Sequence, residues 1–100
     1  MEGGALMDRS VLGVALGHVR NAAAGLLVVE DPSGEALFAF AECVDVEYLL
    51  AGLGVVPEVV PEGLSPAESL TAASDLLQGV GSVPLGVWVA LQAVRARVGS

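Results

Sequence analysis

Residues 26–40, "LLVVEDPSGEALFAF", decide how this chain folds. Two apolar runs flank a polar Asp-Pro-Ser-Gly segment. Read as a β-hairpin over about 26–41, with strands at 26–30 and 36–40, the stretch belongs to an α+β domain. Read as a corner between two helices, it belongs to an all-α domain. The run from Ala36 to Ala41 alternates small and large side chains, which suits a strand. Tight hairpins, however, favour a two-residue Asn-Gly or Asp-Gly turn, and this one is longer. Two strands alone are also marginal without a third. In the helical reading, Asp31 is the N-cap and Pro32 takes the first helical position. Ser33 and Glu35 then complement the helix dipole. The same start recurs at Ser65-Pro66. The helical reading is therefore preferred, and the expected fold is an all-α, compact antiparallel four-helix bundle.

Upstream of the corner, residues 8–29 fit a helix, with Asp8 capping or charging its N-terminus. Leu12, Ala15 or Leu16, Val19, Ala23 and Leu26 recur at helical spacing. A second stripe is small: Gly13, Gly17, Asn21 and Gly25 sit four apart and stack on one side. Each Gly costs a helix about 1 kcal/mol relative to Ala. Such a stripe makes sense where another backbone comes close.

Downstream, residues 32–53 form the second helix. Leu37, Phe40 or Ala41, Val44, Tyr48 and Leu49 trace an apolar stripe expected to face the core. Gly52 and Gly54 can end it in a left-handed cap. "GVVPEVVPEG" then repeats Val-Val-Pro-Glu, and each Pro pushes its predecessor toward extended geometry. Residues 55–64 read as an extended connector crossing the bundle with its valines packed inward. Ser65, Pro66 and Glu68 form a capping box with Pro at the first helical position. Leu70, Ala73, Leu77 and Val80 follow as a buried stripe, and Gly79 or Gly81 closes the helix. Ser82 and Pro84 open the last helix, with Val87, Trp88, Leu91, Val94 and Val98 in register and Arg95 and Arg97 in its last turn. The third and fourth helices should be shorter than the first two. One domain covers 1–100, with 1–7 disordered.

Composition bounds the function. The chain is 54% hydrophobic, yet its aromatics are only Phe38, Phe40, Tyr48 and Trp88. One small core does not hide so much Ala, Val and Leu, and uncovered apolar area marks a partner surface. A homo-oligomer or a protein partner is expected. Ten acids and no base lie between Glu30 and Asp75, and the net charge is −8. Phosphate-backbone binding needs Lys and Arg, so no nucleic-acid partner is expected. No apolar run is free of charges or Gly/Pro breaks, so no membrane span is expected. The N-terminus lacks a basic region followed by an apolar one, and the lone Cys43 cannot form an internal disulfide. Both point to a reduced, cytoplasmic setting.

Chemistry is sparse. His18 is the only histidine and there is no lysine. A nucleophile–base pair would need His18 and Cys43 to meet across the bundle. A metal site would need Glu42, Asp45 and His18 to converge, and the Glu-x-x-His step of di-iron bundles is absent. No catalytic residue, metal site or cofactor is assigned, and an enzyme is not expected.

The expected role is a small, non-catalytic protein–protein interaction or assembly module. It would self-associate or dock on a larger partner through an Ala/Gly/Val-rich face near Gly13, Gly17, Gly25, Val28 and Val29. A second reading is a small apolar-ligand binder or enzyme with a site between helices, His18, Cys43 and Tyr48 supplying polar handles. A third is an acidic decoy for a basic or nucleic-acid-binding protein.

Overall fold

A computed structural model describes residues 2–30, 33–61, 63–80 and 83–98, with side chains from Ser10 onward. Four helices follow one another: α1 (Glu2–Leu27), α2 (Glu35–Ala51), α3 (Pro66–Gln78) and α4 (Leu85–Val98). The decisive stretch is a helix corner. Leu26 and Leu27 end α1 and residues 36–40 lie in α2, so there is no hairpin. The described residues contain no strand.

The local starts differ in kind. α3 opens as its sequence predicts. The Ser65 hydroxyl accepts from the Glu68 amide at 3.1 Å, and the Glu68 carboxylate accepts from the Ser65 amide at 2.9 Å. α2 opens later than expected, at Glu35. Its N-cap is Gly34 in the left-handed region, φ 80°, where a Cβ is strained and only Gly is at ease. Asp31 and Pro32, the expected cap pair, lie outside the described residues, as do Gly81 and Ser82. α1 takes in residues 2–7 as well, ahead of Asp8.

Each helix packs on two others, in the ring α1–α2–α4–α3, and the backbones of the diagonal pairs stand farther apart. The cross-links show the directions. Asn21 Nδ2 donates to Ser69 Oγ at 3.3 Å, and Gly25 lies against Pro66, so α3 runs antiparallel to α1. Arg97 near the end of α4 reaches Glu35 and Glu42 on α2. Arg95 donates to Ser74 Oγ at 3.0 Å, joining α4 to α3. Every neighbouring pair is antiparallel, while the diagonal partners α2 and α3 run the same way. The chain must therefore return along the bundle between them.

Residues 55–61 make that return over the outer side of α1. The Glu58 amide donates to the Gly13 carbonyl at 3.0 Å. A Cβ on Gly13 would lie 2.7 Å from the Val56 carbonyl oxygen, and one on Gly17 would collide with the Glu58 carbonyl. The glycine stripe exists so that this backbone can lie on the helix. Only some connector valines turn inward: Val55 is buried and Val60 half-buried, while Val56 and Val59 are exposed.

The core joins Leu16, Val19, Leu26, Val46, Leu50, Leu70, Leu77, Val87, Leu91 and Val94, with small Ala15, Ala22, Ala36, Ala39, Ala73 and Cys43 between them. Trp88 packs against this core half-buried.

Candidate functional site

The residues read as ligand handles do not converge. Tyr48 points outward at 79% exposure, while Cys43 is fully buried on the other side of α2. His18 is buried on α1, and its Nδ1 has no hydrogen-bond partner. Burial, which disfavours the charged ring, holds the His18 pKa below its ordinary value. Burial, helped by the negative charges of Glu47 and Glu42, pushes the Cys43 thiol up to about 12. A thiol in that setting is a packing group and not a nucleophile. Among the described residues no three His, Cys, Asp or Glu side chains gather as a metal site. An apolar cleft of about 300 Å³ opens at one end of the bundle, between Leu26, Ala36, Ala39 and Pro66, with Arg97 at its edge. It involves none of His18, Cys43 and Tyr48.

The glycine face is already occupied. Gly13 and Gly17 are buried beneath the chain's own connector, and Gly25 meets Pro66. Val28 and Val29, just beyond α1, are exposed.

The unexpected feature is on α2. The stripe expected to face the core faces outward. Leu37 is 66% exposed, Val44 42% and Tyr48 79%; Ala41 and Leu49 are exposed as well, and only Phe40 is half-buried. The residues turned inward are Ala36, Ala39, Cys43, Val46 and Leu50. At 3.6 residues per turn, the two stripes lie roughly 150° apart around the helix. The inward stripe has small Ala36, Ala39 and Cys43 over its first turns, which lets α2 close onto the alanine-rich side of α1, where Ala15, Ala22 and Ala23 are buried, and Val46 and Leu50 fill the core beyond them. Ion pairs mark the same rotation. Arg97 holds Glu42 and Glu35 on one flank of the inward face, and Arg20 lies 3.5 Å from Glu47 on the other. Surface pairs contribute about 0–1 kcal/mol each, so they trim the rotation and packing sets it.

No family model, curated protein or solved structure matches this chain. Its chemistry is read from the fold alone.

Beyond α2, exposed large apolar side chains sit at helix ends or in connections (Leu27, Val28, Val29, Leu53, Val56, Val59) and on α4 (Leu85, Val89). On α2 they form a continuous stripe. Leu37, Ala41, Val44 and Tyr48 are spaced four, three, four, the step of a heptad seam. Phe38, with the Arg97 guanidinium 5.5 Å from its ring centre, and bare Asp45 flank it on one side. Phe40 and Glu47 flank it on the other. The signal was legible as apolar periodicity, and its direction was not. By length and composition Ser10–Leu27 of α1 is apolar enough to cross a membrane, with mean hydropathy 1.2, and half of it is buried inside the bundle. A core helix passes the same test.

Proposed function

We propose that this protein is a small, non-catalytic assembly module whose working surface is the outward seam of α2. One observation carries the reading: beside its buried stripe Ala36, Ala39, Cys43, Val46 and Leu50, α2 leaves a second apolar stripe, Leu37, Ala41, Val44 and Tyr48 with Phe38 beside it, in water. Burying a Leu, Phe or Val side chain stabilises by about 1.5–3 kcal/mol. A helix that leaves Leu37, Phe38, Val44 and Tyr48 in water forgoes several times what its ion pairs contribute. The free energy becomes available when the seam is covered, which is the signature of a partner surface. The absence of convergence among His18, Cys43 and Tyr48 removes the support for a site between helices at those residues.

Photocrosslinking tests it. A benzoylphenylalanine at position 48 should give a covalent adduct on irradiation in the producing cell, to a second copy or to another chain. The same probe at Ala24, exposed on α1, should give none. No adduct at 48, with a monomer throughout the micromolar range, would refute the reading.

A further inference from the structure

We propose that the cleft at one end of the bundle binds a small, neutral, mostly apolar molecule with a single hydroxyl head. The proposal goes beyond the assembly reading, because the cleft and the outward seam of α2 share no residue. The cleft lies where α1 and α4 end and α2 and α3 begin. Its volume of about 300 Å³ is at the lower end of the range for small-molecule sites. Side-chain size keeps it open. Ala36 and Ala39 on α2 and Ala67 on α3 all line it, where larger side chains would fill the space. Leu26, Pro66 and Val98 complete an apolar lining. At about 30 Å³ for a water-sized group, 300 Å³ holds roughly ten such groups, enough for six carbons and a hydroxyl.

The mouth decides the charge of the ligand. Among the described residues, the charged side chains that line the cleft are Glu35 and Arg97, and they are bonded to each other at 2.7 Å. An ionised head would give up water there and meet a counter-charge already engaged. A neutral head finds partners. Arg97 spends its Nε–H on Glu42 and one Nη1–H on Glu35, two of the five N–H groups of a guanidinium. Ser65, at the rim, accepts from the Glu68 amide through its oxygen and keeps its own proton to donate. The Glu35 carboxylate has a second oxygen to accept with. A hydroxyl both donates and accepts, so it suits a rim that sets donors and a carboxylate side by side. The chain of the ligand then lies against the alanines.

Straight-chain alcohols from butanol to octanol are the probes, with methyl NMR of the full chain as the readout. Hexanol should shift the Ala36, Ala39 and Ala67 methyl resonances and show nuclear Overhauser contacts to them. Affinity should rise about fourfold per added methylene until the cleft is full. Hexanoate and hexylammonium at pH 7 should bind at least about tenfold more weakly, because their charge has no free partner at the mouth. Ala67→Leu, at a half-buried position in the first turn of α3, should keep its far-UV circular dichroism. It should bind hexanol at least about tenfold more weakly, because its extra carbons take space the probe would bury. Val44→Lys, on the seam, should leave hexanol affinity unchanged. If hexanol shifts only seam residues, or none at millimolar concentration, the cleft is not a site and the proposal falls while the assembly reading stands. The same follows if a folded Ala67→Leu binds hexanol like wild type. If that variant unfolds, the Overhauser contacts of the wild type decide alone. If the ionised probes bind as well as hexanol, the mouth does not read charge and the neutral class is wrong.

Discussion

Replacing Gly17 with Ala separates packing from propensity. In an ordinary helix the change stabilises by about 1 kcal/mol, because Gly is the costlier residue. Here the added Cβ would strike the Glu58 carbonyl and lie 2.9 Å from Val60 Cγ1. A carbonyl is backbone and cannot swing aside alone, so the connector has to lift. Lifting it strains or breaks the 3.0 Å hydrogen bond from the Glu58 amide to Gly13, a loss of about 1 kcal/mol. It also loosens buried Val55, and overpacking of this kind costs about 1–3 kcal/mol. Set against the propensity gain of about 1 kcal/mol, the net loss is roughly 1–3 kcal/mol, or about 4–24 °C in Tm for a domain this size. Urea unfolding followed by circular dichroism measures the total, and hydrogen exchange at the Glu58 amide reports the local opening. Gly86→Ala is the comparison, because a Cβ there meets nothing within 4 Å. If Gly17→Ala stabilises as much as Gly86→Ala, the account of the glycine stripe is wrong.

Three further outcomes follow from the same structure. Ser65→Ala removes the hydroxyl that accepts from the Glu68 amide and should cost about 1 kcal/mol in urea unfolding, with no change in the α2 contacts. His18 has its folded pKa depressed by burial, so the unfolded chain takes the proton first. Stability should hold above about pH 6.5 and fall as the pH drops below it, and His18→Leu should flatten that fall in urea midpoints taken across the window. Cys43, with its thiol pushed up to about 12, should react with iodoacetamide at pH 8 roughly two to three orders of magnitude more slowly in the native protein than in urea, the native rate following opening of the fold.

Much of the fold was legible because local and tertiary preferences agreed. Ser65, Pro66 and Glu68 announce the start of α3, and the structure builds that cap as written. The four-apart glycines announced a close backbone, and the connector supplies it at Gly13 and Gly17, while Gly25 meets the Pro66 ring. At the start of α2 the reading was right in type and wrong in detail. The corner residue that matters is Gly34, whose positive φ no hydrophobic pattern encodes. The rotation of α2 was illegible for a different reason. Its sequence carries two apolar stripes, Leu37, Ala41, Val44 and Tyr48 on one side and Ala36, Ala39, Cys43, Val46 and Leu50 on the other, and hydrophobicity does not choose between them. The choice is made by how closely α2 packs on α1, where Ala15, Ala22 and Ala23 are buried, and that is a property of the partner helix. The seam is the stripe that this choice leaves outside.

α1 and α2 thus solve opposite packing problems. The outer side of α1 is small, and the chain covers it with its own connector. The outer side of α2 is large, and no described residue covers it. The two surfaces share no residue, so their energetics should separate cleanly. A methyl at position 17 should weaken the monomer and leave any seam contact to follow from that loss. A charge at position 44 adds nothing to the 42% of Val44 that water already reaches in the monomer. It should cost association far more than folding, because a charge placed inside an apolar contact has no partner there. A Val44→Lys variant that unfolds as easily as it dissociates would mean that α2 depends on this face for its own stability, and the division between the two surfaces would collapse.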